Sequence, residues 1–296
     1  MNTTNRPLRA RNAVPRALAG ALQWRLLLVW IIATLLCALL GALPVWNWLA
    51  GVLNHSLQAQ VVADGKAPAL MVEALMAHES PLAVLTESVW ASGILMLLLS
   101  PLLAGATVAA ARSRAPLGFG DLLRGGIGEY GPMLRLLLWS AIPLGVAAMV
   151  MAGAVGANEK MHEHAILAAD VDRGRDIALA VGGLLLVLAH AGVEAGRGWL
   201  AADARLRSAL KAWWRGMKLL CRRPLAVLSA YLVPTVCSLL LALAIVALRQ
   251  RIGAGGVGGF LLAMLLGCAI AGSLAWGKAA RLFAFRALAE DAHARR

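Results

Sequence analysis

Residues 226–248 carry no charged side chain. Similar runs recur along the chain, and several approach the ~20 residues a helix needs to cross a ~30 Å hydrocarbon layer. No other feature constrains the fold as strongly. Backbone inside lipid has no water to bond to, so a run of that length must satisfy its own hydrogen bonds as a helix. Composition agrees: 60% of residues are hydrophobic and 15% charged, with a mean hydropathy of +0.74, which excludes an ordinary soluble domain. The expected crossings are 26–43, 89–111, 136–155, 177–196, 226–248 and 258–277. The fold class is therefore all-α: a polytopic membrane protein, a single integral membrane domain over 1–296 with six transmembrane helices.

A net charge of +13 suggests a nucleic-acid partner, but its distribution argues against one. Most Lys and Arg fall in alternate segments, which is the positive-inside pattern and needs no polyanion. The first such segment holds Arg6, Arg9, Arg11 and Arg16. The next, 44–88, holds Asp64, Glu73, Glu79 and Glu87 against Lys66, and is assigned outside as two interfacial helices or a shallow cap. Residues 112–135 are basic, 156–176 acidic, 197–225 basic, and 278–296 form a basic tail. Arg249 and Arg251, in the tight turn before the last crossing, are the main exception. Both termini are thus expected in the cytoplasm. Abundant Ala, Gly and Arg suggest a bacterial inner membrane. The first apolar segment is long for a secretory signal and lacks an A-x-A site, which favours an uncleaved crossing. Cys37, Cys221, Cys237 and Cys268 have neither CxxC nor metal-ligand spacing and are expected as apolar fillers.

The stretch 206–231 joins an amphipathic run to an apolar one. At about 100° per residue, Leu206, Leu210, Trp213, Met217 and Leu220 share one arc. Arg207, Lys211, Arg215, Lys218 and Arg222 share the arc beside it. That pattern predicts a cytoplasmic interfacial helix whose basic face meets anionic lipid headgroups or an acidic protein partner. Arg223-Pro224 ends it, and the fifth crossing follows.

The same plan recurs. Arg124-Gly125 precedes Pro132 and MLRLLLWSAIP, as Arg215-Gly216 precedes Pro224 and LAVLSAYLVP. RALAGALQWRLLLVW keeps the order without the proline, and the returning crossings lead to Arg112, Arg197 and Arg281. These positions suggest a threefold internal repeat over about 13–112, 113–197 and 198–285, with a basic cytoplasmic tail at 286–296. On these features, with SALKAWWRGMKLLCRRPLAVL as the amphipathic segment, residues 13–285 resemble the six-helix membrane domains associated with some bacterial glycerophosphodiester phosphodiesterases and related bacterial membrane proteins. The resemblance implies a stand-alone membrane module and brings no catalytic residues, since no soluble phosphodiesterase domain is expected beside it.

His190, Glu194 and Arg197 recur at i, i+4 and i+7 on one face of the fourth crossing. Ionisable groups at membrane depth are costly and are functional hypotheses by default. The repeat places Glu194 in the column of Lys278, so the two are expected to pair near the cytoplasmic mouth. The readings are an ion or proton site, or a structural salt bridge. His162-Glu163-His164 with Asp170 and Asp172, and His55 and His78 further off, reads better as a solvated acidic loop than as a metal site, so no metal and no cofactor are expected. HExxH, GxSxG and a Walker A lysine are absent, and the glycines of 253–259 read as a turn. No enzymatic activity is expected. The leading expectation is a scaffold or accessory of a transport or envelope system, with a protein partner or homo-oligomer. The alternatives are a permease half docking a cytoplasmic ATPase, and an intramembrane lipid-modifying enzyme using His190 and Glu194.

Overall fold

The computed structural model describes residues 13–53, 82–162, 168–251 and 256–295, with single positions at 61, 69 and 72. The described residues form helices and no strand: α1 (Ala13–Gly20), α2 (Trp24–Leu53), α3 (Leu82–Arg112), α4 (Phe119–Met161), α5 (Ala168–Ala202), α6 (Ala209–Arg222), α7 (Pro224–Gln250) and α8 (Gly256–Ala294). Six of them, all but α1 and α6, are long and apolar enough to cross a membrane. The protein is an all-helical, multi-pass membrane protein.

Its surface follows the inverse of a soluble pattern. On α7, Leu232, Val236, Leu239 and Leu240 face outward, while Ala230, Ser238 and Ala242 are buried. In water, so large an apolar surface would drive association. In lipid it costs nothing, and small residues at the helix contacts let backbones approach closely. The buried residues gather at one end of the bundle, where three core clusters surround the last turns of α3, α5 and α8. Here this is called the basic end. α8 packs on α7, α5, α1 and α2, and α3 packs on α4 and α5 on α6. At the last of these contacts a Cβ on Gly216 would stand 2.5 Å from the Gly192 carbonyl oxygen, so only glycine admits the approach.

Several expected boundaries move. Pro44, placed at the start of an external segment, lies inside α2, which continues to Leu53, and α3 already begins at Leu82. A proline in a spanning helix kinks it without ending it, because the surrounding hydrocarbon gives the backbone no alternative partner. The rest of 44–88, with His55 and His78, is largely outside the described residues. The second external segment, 156–176, is also mostly helical: α4 runs to Met161 and α5 starts at Ala168. Asn158 is buried there and its Nδ2 donates to the Val171 carbonyl at 2.9 Å, joining the two helices.

At the basic end, the basic segment expected at 112–135 does not stand apart from the third crossing. From Phe119 onward it runs into that crossing as α4, whose 43 residues reach about 65 Å. Gly125 and Gly126 lie against Ala109 and Leu102 of α3, and that packing offsets the poor helix propensity of glycine. Residues 286–294, expected within a separate tail, continue α8 instead. α8 continues to Ala294 because Leu282, Phe285, Leu288 and Ala289 recur on one face and are buried. Phe285 lies against Gly198 of α5, where a Cβ would meet the Phe285 Cβ at 2.6 Å.

Candidate functional site

α5 brings His190, Glu194 and Arg197 to the basic end on one helical face, as their spacing requires. Glu194 is 4% exposed. Arg197 Nη1 donates to Glu194 Oε1 at 2.7 Å, and Arg281 Nη2 of α8 stands 3.8 Å from the same oxygen. His190 Nε2 is 3.7 Å from it. The other ring nitrogen of His190, Nδ1, is 2.8 Å from the Tyr231 hydroxyl of α7. Arg281 also donates from Nη1 to Thr235 Oγ1 at 3.1 Å, and its guanidinium lies 5.3 Å from the Tyr231 ring centroid. One carboxylate therefore ties α5 to α8, and through Arg281 and His190 to α7.

Lys278 does not take the expected place. It makes no ion pair with Glu194. Its Nζ stands 5.1 Å from the ring centroid of Trp30 on α2, in a cation–π contact. Arg281, one turn further along α8, occupies the position beside Glu194. Arginine suits it better, because one guanidinium can serve a carboxylate and the Thr235 hydroxyl at once. In the sequence Arg281 stands out only as the end of a returning crossing, three residues beyond Lys278. The polar residues Tyr231 and Thr235 inside the fifth crossing were the other available signal.

The same end is closed on its far side by a second ion pair. Arg112, the last residue of α3, donates to Glu129 Oε1 of α4 at 2.6 Å. It also donates to the carbonyls of Leu200 and Ala201 in the last turn of α5. Carbonyls at a helix C-terminus lack intrahelical partners, so this arginine acts as a cap supplied by a neighbouring helix.

The cations of 206–222 lie at this end on and before α6. Ser208 caps the helix, its hydroxyl accepting from the Lys211 N–H. The buried face is Ala212, Gly216, Leu219 and Leu220, packed on α5 and its neighbours. Leu206 is also buried, whereas Leu210 and Trp214 are exposed. The expected apolar arc is thus split: Leu206 and Leu220 are buried against protein, while Leu210 faces outward beside the cations, next to Trp214, which lies outside that arc. Arg207, Lys211, Lys218 and Arg222 are exposed, and Arg215 is half-buried. Arg215 pairs with Asp203 at 3.3 Å and lies over Trp199. Asp203, beyond the end of α5, is held below the usual carboxylate range. Partial burial pushes it up, but the Arg205 N–H and the Arg215 guanidinium outweigh that.

Among the described residues no group of His, Cys, Asp or Glu is arranged to hold a metal ion. Glu163 and His164 lie outside the described residues, as does the side chain of Asp170. His162 Nδ1 is 2.9 Å from the Asn158 carbonyl, and Asp172 is exposed. Of the glycines at 253–259, those at 253–255 are outside the described residues and the remainder open α8. Compared with protein-family models, curated proteins and solved structures, the chain matches none.

Proposed function

We propose that this chain is a non-enzymatic, multi-pass protein of a bacterial inner membrane, a scaffold or accessory of a transport or envelope system. Both termini and the basic end face the cytoplasm. There α6 presents cations and Trp214 to anionic headgroups and to a protein partner or a second copy of the chain. A membrane module similar to those associated with bacterial glycerophosphodiester phosphodiesterases is consistent with this role.

The observation that carries the reading is the engagement of Glu194. Its carboxylate accepts from Arg197 and faces Arg281, and so serves to hold three helices together. A proton or ion carrier needs a group free to exchange partners, and a lipid-modifying enzyme needs one aimed at substrate. Glu194 is committed to structure. His190, half-exposed beside Tyr231, is the observation that favours transport as the second reading.

The test compares Glu194→Gln and His190→Gln in the native host. The scaffold reading expects Glu194→Gln to lower the melting temperature of the detergent-solubilised protein and its abundance together, and His190→Gln to leave growth unchanged. Loss of a transport or growth phenotype in His190→Gln, with melting temperature and abundance unchanged, would establish the transport reading instead.

A further inference from the structure

A small cavity of about 130 Å³ opens at the basic end between α6 and the last turns of α8. Its floor is Trp199, Leu219 and Ala292, and its walls are Arg215, Lys218, Arg222, Arg223 and Arg295. Arg215, Lys218 and Arg222 share one arc of α6, Arg223 follows at the break before α7, and Arg295 comes from the end of α8. Five cations thus meet from two parts of the chain far apart in sequence.

The carboxylates nearby do not balance them. Asp203 pairs with Arg215. Asp291, buried on α8, accepts from Arg223 at 2.6 Å and faces Arg295 at 3.1 Å. Two carboxylates therefore stand against five cations. Lys218 makes a cation–π contact with Trp214, and neither it nor Arg222 has a carboxylate partner among the described residues. The C-terminal dipole of α6 accounts for a cation or two in its last turn. It does not account for Arg295, which arrives from another helix. Like charges gathered around a cavity repel unless an anion enters, and guanidinium groups retain N–H donors for a tetrahedral oxyanion after meeting one carboxylate oxygen.

We infer that this cavity binds a phosphate group, carried on the headgroup of an anionic phospholipid. The inference rests on the proposed placement of α6 at a membrane surface. The lipid source follows from what lies beside the cations on α6: exposed Leu210 and Trp214, and exposed Cys221. Acyl chains can lie against that apolar strip while the phosphate enters the cavity. A free phosphate would make no use of it.

The full-length protein in nanodiscs of phosphatidylcholine, titrated with phosphatidylglycerol and read by native mass spectrometry, tests this. A companion titration in detergent uses inorganic phosphate, with melting temperature as the readout. One phosphatidylglycerol is expected to stay bound. The Lys218→Gln/Arg222→Gln double variant should weaken it about tenfold or more, the size of a lost charge-assisted hydrogen bond. Neither residue has a carboxylate partner to strand, so the ligand-free melting temperature should hold. Arg207→Gln/Lys211→Gln removes two cations of the same region outside the cavity and should change binding less than about threefold, the effect of screened surface charge. Equal loss in both double variants would overturn the cavity and leave a diffuse basic face standing. No preference for phosphatidylglycerol in the unsubstituted protein would overturn the cavity and the lipid-facing placement together. Stabilisation by inorganic phosphate that matches phosphatidylglycerol at equal concentration would overturn the lipid source.

Discussion

The stretches beginning at Arg124 and at Arg215 follow one plan in sequence and differ in three dimensions. Each has Arg-Gly, a proline eight or nine residues on, and an apolar run. In the first, α4 passes through Pro132 without a break. In the second, α6 ends and Arg223, at φ −142° and ψ 61°, turns the chain before Pro224 opens α7. The residue before a proline is pushed out of the α region by clashes of the proline ring with its backbone N–H and its Cβ, and the second of these is missing in glycine. Gly131 has no Cβ, and Arg223 has one. Within the spans Ser100, Ile142 and Val233 also precede helical prolines, but there no water can stabilise a break. Arg223 lies at the end of the bundle, where its backbone has the neighbouring Leu219 carbonyl to bond and its side chain has Asp291. The break turns α6 against the end of α8, and that turn is what gathers the cations of the cavity. α4, unbroken, leaves Phe119, Leu123 and Ile127 exposed at the same end, near the Arg124–Asp121 pair.

The two regions also differ in how deeply their ion pairs lie, and this sets the largest expected effect. The Glu194 side chain is 5% exposed and the Glu129 side chain 16%. Breaking a buried pair leaves the surviving charge uncompensated, at about 3–5 kcal/mol. Glu194→Gln should therefore lower stability by that amount, and Glu129→Gln by about 1.5–3 kcal/mol, the range of a charge-assisted hydrogen bond. Chemical unfolding in detergent measures both, and equal losses would remove the distinction between the regions. A double-mutant cycle sharpens it. Glu194→Gln with Arg281→Gln should show coupling of about 1 kcal/mol or more, and with Lys278→Gln clearly less. Larger coupling to Lys278 would restore the pairing expected from the repeat.

A smaller effect separates the helix contacts. Gly216→Ala puts a methyl 2.5 Å from the Gly192 carbonyl oxygen and 2.6 Å from the Gly196 nitrogen. Overpacking of this kind costs about 1–3 kcal/mol. Gly128→Ala meets nothing within 4 Å and should stabilise α4 by up to about 1 kcal/mol through helix propensity alone. Opposite signs in thermal melts are the expected result. A stabilising Gly216→Ala would mean that α6 does not rest on α5.

These contacts mark where sequence reasoning stops. The number of crossings was legible because an apolar run of sufficient length has one stable form in lipid. Helix ends were not, because they depend on partners. Nothing in 282–289 alone distinguishes an interfacial segment from a packed helix until Gly198 provides the recess for Phe285. Glu194 was legible as a costly residue in the fourth crossing, and so was its proximity to α8. Choosing Arg281 over Lys278 was not, since they lie three residues apart on one helix and the choice depends on Trp30 drawing the lysine away. The cavity cations on α6 were legible as a face, but Arg223 and Arg295 joined them only through the break at Arg223.

The smallest expected effect tests that break through pH. Asp203 joins the loop before α6 to its basic face through Arg215, whereas the Asp121–Arg124 pair at the start of α4 lies within one exposed turn of its own helix and ties no loop to it. Because its carboxyl titrates below the ordinary value of about 3.9 when folded, the contribution is present above that value. It is lost as pH falls through the lower, folded-state value, where the carboxylate takes up a proton and releases Arg215. The pair is partly solvated, so the slope is shallow. Melting temperature followed from pH 6 towards pH 3 should fall less steeply in Asp203→Asn than in the unsubstituted protein. Identical slopes for the two would mean that Asp203 does not hold the loop to α6.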